Sequence, residues 1–73
     1  MNYQYFIAVN RDAYMRHVRS IGSDFVRCKF INDRHQLAGL NNITIKVIGY
    51  GNRQLESEIV LHYSHRGIKL EYI

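Results

Sequence analysis

The residues of this chain that could do chemistry are few. They are Gly49-Tyr50-Gly51 at the end of a β-branched run, four histidines, one cysteine, and a set of arginines and tyrosines. Glycine amides at a helix start can hold a phosphate, and Ile43 to Ile48 followed by two glycines places such a turn after a buried strand. Neither GxGxxG nor GxxxxGK[ST] is completed, and neither pattern gives Tyr50 a role. The glycines therefore read as a structural turn, with Asn52 capping the helix that follows.

His62 and His65 are three apart, so one helix face could present both. No HExxH, second cysteine or placed carboxylate accompanies them, and His17 and His35 stand alone. Cys28, in an apolar run, reads as an inert core thiol. As the sole cysteine it excludes an internal disulfide, a CxxC pair and a zinc knuckle, and fits a reducing compartment. Ser20, Ser23, Ser57 and Ser64 lack a nucleophile-elbow context, and the six acidic residues form no paired-acid motif. No catalytic residue, cofactor or metal ligand is expected, and the chain is not expected to be an enzyme.

Binding is the better expectation. The formal charge is +4, and arginine outnumbers lysine, which suits a phosphate or carboxylate partner. The basic excess lies in the first half, where Arg11, Arg16, Arg19, Arg27, Lys29 and Arg34 face only Asp12, Asp24 and Asp33. Tyrosine and arginine dominate protein-binding hot spots, and tyrosine also stacks on unpaired bases. Charge and exposure reasoning gives Tyr3, Tyr5, Arg11, Arg16, Arg19 and Arg34 as contact candidates. For the arginines the simpler role is a solvated face; for Tyr3 and Tyr5 it is sheet packing.

The elements that must position these residues follow from local patterning. Tyr3 to Val9 is aromatic and β-branched, hence a first strand, and the apolar stretch from Met1 lacks the charged start and cleavage site of a signal peptide. Asn10 then caps a helix over 11–21, in which Tyr14, Met15, Val18 and Ile21 form the inner stripe and Asp12, Arg16, Arg19 and Ser20 face outward. Gly22 stops it. Phe25 to Ile31 reads as a second strand. Asp33 caps a short helical turn over 34–40, broken at Gly39, and Ile43 to Ile48 forms a third strand.

The last third admits two readings. Leu55, Ile59, Val60 and Tyr63 suit a helix with glutamates early, His65 and Arg66 late, and Gly67 as its stop before a strand over 68–73. The alternative is a β-hairpin turning at Ser64-His65-Arg66-Gly67. The charge order favours the helix. The expected fold is then α/β, a single small domain over 1–73 with a mainly parallel four-stranded sheet, two main helices and a short helical turn. The hairpin would make it α+β.

A strand and basic helix, then Asp33-Arg34-His35-Gln36-Leu37-Ala38-Gly39-Leu40, then a β-branched strand ending in Gly49-Tyr50-Gly51, spans nearly the whole chain. This layout resembles very small phage-encoded α/β proteins. In size, basicity and lack of cysteine pairs it is similar, among them, to small phage transcription regulators that bind bacterial RNA polymerase. The resemblance implies inhibition of initiation by displacing σ factor, antitermination, contacts with the polymerase β and β′ subunits, cooperation with NusA, and a basic surface near the RNA exit channel. It implies a host-cytoplasmic protein with no membrane association, and it brings no catalytic positions. The reading from the residues alone keeps an autonomous RNA- or DNA-binding domain as the alternative.

Overall fold

The computed structural model describes residues 3–73; Met1 and Asn2, the start of the apolar N-terminal stretch, lie outside them. The chain runs through strand β1 (Gln4–Ile7), helix α1 (Arg11–Ser20), strand β2 (Cys28–Phe30), a 3-10 turn (Arg34–Leu37), strand β3 (Thr44–Val47), helix α2 (Arg53–Tyr63) and strand β4 (Lys69–Tyr72). The strands form one four-stranded sheet in the order β2-β1-β3-β4. All neighbours run parallel. The α/β expectation holds, and the C-terminal hairpin is not formed.

Local signals act where the sequence places them. The Asn10 side chain accepts the Ala13 amide at 2.8 Å, satisfying one of the amides left free at the start of α1. Asp33 and Gln36 build a reciprocal capping box at the 3-10 turn. Gly67, at φ 75°, ends the last helical turn, and this left-handed geometry costs glycine least.

The stretch over 25–27 departs from the strand reading. Phe25–Arg27 forms a 3-10 turn, started by the Asp24 carboxylate accepting the Val26 amide at 3.0 Å. Pairing with β1 begins only where Gln4 meets Cys28. Phe25 and Val26 therefore have no strand partner and stand exposed, Val26 at 75%. Ile21, placed on the inner stripe of α1 by spacing, is also exposed, because it follows the last helical residue, Ser20.

The sheet separates two apolar layers. Ile7, Ile31, Leu37, Ile45, Val47, Leu55, Ile59 and Ile68 form an aliphatic layer under α2 and the 3-10 turn. Phe6, Ala8, Tyr14, Val18 and Cys28 form a smaller layer under α1. There Tyr14 stacks on Phe30 with ring centroids 5.0 Å apart. Helices on both faces are what parallel strands need to bury both sides.

Candidate binding surface

In a parallel sheet, ligand sites form beyond the carboxyl ends of strands where the connections diverge. Here that point lies between β1, which leads through α1 to β2, and β3, which leads through α2 to β4. The β3 exit is Gly49-Tyr50-Gly51, with Gly49 and Gly51 at φ 60° and 62°. Any side chain at Gly51 would strike Glu56 and Val47. The turn is tight because a carboxylate fills it.

That carboxylate belongs to Glu56, only 6% exposed. It accepts the Asn52 amide at 2.7 Å and the Tyr72 hydroxyl at 2.8 Å. The Asn52 side chain in turn accepts the Leu55 amide at 3.2 Å. An anion at a helix start is favoured by the amides and the dipole, and here the chain supplies its own. The hydrogen bond to Glu56 raises the Tyr72 pKa, with burial and the carboxylate charge adding to it and Arg53 opposing. Sequence reading missed Glu56 and Tyr72: the capping-box signal is an acid or amide three residues after the cap, and here Leu55 holds that position while Glu56 stands one further on.

The sequence-selected residues do not gather on one surface. Tyr3 and Tyr5 lie on the α2 side of the sheet, where they line a groove of about 360 Å³ with Lys29, Ile31, Gln36 and Leu40. The Lys29 ammonium sits 4.9 Å from the Tyr3 ring centroid, a cation–π distance. Arg34, at the start of the 3-10 turn, pairs with Glu58 of α2 at 3.3 Å. Arg11, Arg16 and Arg19 stand exposed on α1, across the sheet. Arg16 reaches Asp12 only at 3.9 Å with both side chains in solvent.

The arginines of α1 are followed in the chain by apolar residues that the sequence pattern places inside, Ile21 on the helix stripe and Phe25 and Val26 in a strand. Ile21, Phe25 and Val26 are exposed directly after the helix, and Arg27 follows them. Phe25 rests edge-on against Tyr14 at 6.4 Å between centroids, so its ring is positioned by the core while part of it meets solvent. Helix α1 and this turn thus display guanidinium groups and apolar side chains along one short stretch.

The remaining reactive groups sit apart. Burial pushes the Cys28 thiol pKa up, and the Asp24 charge adds to the effect; a protonated, buried thiol is a poor nucleophile. Among the described residues no three His, Cys, Asp or Glu side chains group as a metal ion would require. Among them, too, no helix is long and apolar enough to cross a membrane. No protein family, curated protein sequence or solved structure matches the chain at a significant level.

Proposed function

We propose that this protein is a non-enzymatic binding regulator of the phage transcription type, docking on bacterial RNA polymerase in the host cytoplasm, inhibiting initiation and promoting antitermination. The observation that carries the binding part is the exposure of Arg16, Arg19 and Arg27 and, within the same stretch of chain, of Ile21, Phe25 and Val26. Arginine forks and a part-anchored aromatic ring are the chemistry of protein-binding hot spots. The closure of the α2 start by Glu56 further supports a binding reading over a phosphate site there. Polymerase, with its β and β′ subunits and NusA, comes from the resemblance in chain layout.

The test is retention of purified polymerase on the immobilised protein, with transcription assayed across a promoter and an intrinsic terminator. Wild-type protein retains polymerase, lowers initiation and raises read-through; Arg16→Glu with Arg19→Glu abolishes all three while leaving the fold intact. No retention at low salt refutes the reading. If instead the protein binds single-stranded RNA or duplex DNA tightly, with a steep salt dependence, the same arginines serve an autonomous nucleic-acid-binding domain.

A further inference from the structure

Strand β4 ends the sheet, and among the described residues no other strand or loop pairs with its outer edge. Lys69 and Ile73 donate their amides inward to Ile43 and Val47 of β3, at 2.9 and 3.1 Å. Ladder alternation then turns the amides and carbonyls of Leu70 and Tyr72 outward, with no proline or bulge to blunt the edge. Side chains alternate as well. Leu70 packs toward the aliphatic layer, while Lys69 and Glu71 project together from the opposite face and are exposed.

We infer that this edge pairs with the same edge of a second copy, antiparallel and centred on Leu70, joining two sheets into one. The register follows from two independent constraints. Outward-facing residues must meet outward-facing residues for the ladder to form, which permits only steps of two. Of these, the Leu70-centred register sets Lys69 opposite Glu71 of the second copy, and Glu71 opposite its Lys69. A shift one way sets Lys69 on Lys69, and the other way sets Glu71 on Glu71. Opposite charges in the close, non-hydrogen-bonded positions favour the pair, and like charges oppose it. Lys46 lies in register beside Glu71 within each copy, so the charges alternate across the junction.

Helix α2 adds apolar surface to the same side. Its Glu58 flank faces the 3-10 turn through Arg34, which leaves Ser57, Val60 and Leu61 on the opposite flank. With Arg53, Glu56 and Tyr72 these line a groove of about 420 Å³. Leu61 is 75% exposed. A twofold axis through the Leu70 pair brings this flank of each copy toward its equivalent, covering both. The pairing is independent of the α1 surface, which lies across the sheet.

The experiment is sedimentation equilibrium on the full chain, wild type and three charge variants, with circular dichroism to verify folding. The wild type shows a monomer–dimer equilibrium. Lys69→Glu and Glu71→Lys each weaken dimerisation by about tenfold, since each sets two like-charge pairs across the axis. The double variant, with both changes, restores the wild-type affinity to within about twofold because opposite charges again meet. A wild type that stays monomeric up to about 1 mM overturns the inference. So do single variants that dimerise like wild type, or a double variant no tighter than Glu71→Lys alone.

Discussion

The two faces of the sheet are built from different materials. Under α2 the layer is aliphatic and draws on β1 and β3, on Ile31 just after β2 and Ile68 just before β4, on the 3-10 turn and on the helix itself. Under α1 it is narrower and built around aromatic rings, with buried members from β1, α1 and β2 and from Ala8 just after β1. On that side of the sheet Thr44, Lys69 and Glu71 meet solvent. A helix that covers only half of a face must leave the rest polar. The difference separates two tasks: the α2 side holds the strands together, and the α1 side can carry arginines and an exposed aromatic ring without weakening the main core.

The largest test of this contrast is truncation on each side. Ile59, on the fully buried face of α2, should lose about 3–4 kcal/mol on Ile59→Ala, enough to unfold much of so small a domain. Val18→Ala, on the buried face of α1, should cost about 2 kcal/mol. Urea unfolding measures both, and equal losses would remove the distinction between the layers. Next comes Gly51→Ala, expected at about 2–3 kcal/mol, because the methyl group meets Glu56 and Val47 and φ is left-handed. A wild-type melting temperature in that variant would show that the turn can relax.

Glu56→Gln should cost about 1–2 kcal/mol, since an amide cannot accept from both Asn52 and Tyr72 with the strength of a carboxylate. The sheet should respond to alkali as well. Cys28, Tyr14 and Tyr72 all have raised pKa values: Cys28 and Tyr14 chiefly by burial, Tyr72 chiefly by its bond to Glu56. In each case the folded state holds its proton longer than the unfolded chain, so the stabilisation is complete below the ordinary thiol and phenol range and is lost as pH rises from there through the raised folded-state values. Thermal melts across that range should show a falling midpoint. A flat profile would mean that these groups titrate alike in both states.

The smallest expected effect is Arg16→Ala, within about 0.5 kcal/mol of wild type, because its contact with Asp12 is long and solvated. A larger loss would give the α1 surface a structural role and weaken the contrast between the faces. The same variant should still weaken partner binding, which separates contact from stability.

Much of the fold was legible because its signals are local. Asn10, Asp33 and Asn52 cap turns within three residues of themselves, and Gly22 and Gly67 end helices by accepting positive φ. The hairpin alternative at the C-terminus gave way to α2 once Leu55 and Ile59 found Ile45 and Val47 to pack on. The binding surface was less legible. Its arginines were visible as charge, but Phe25 and Val26 look like strand residues until β1 is seen to begin pairing only at Cys28.

The sequence by itself determined the α/β order of the main elements as far as β3, their caps and stops, and the exposed arginines of α1. These depend on contacts within one turn of chain, where residue type and spacing suffice. Only the tertiary structure decided that Tyr3 and Tyr5 lie across the sheet from those arginines. It also decided that Tyr72 reaches Glu56 at the turn after β3, and that the Lys69–Glu71 edge stands open. Each depends on which distant strands become neighbours, and strand pairing is set by the burial of both faces together rather than by any local signal.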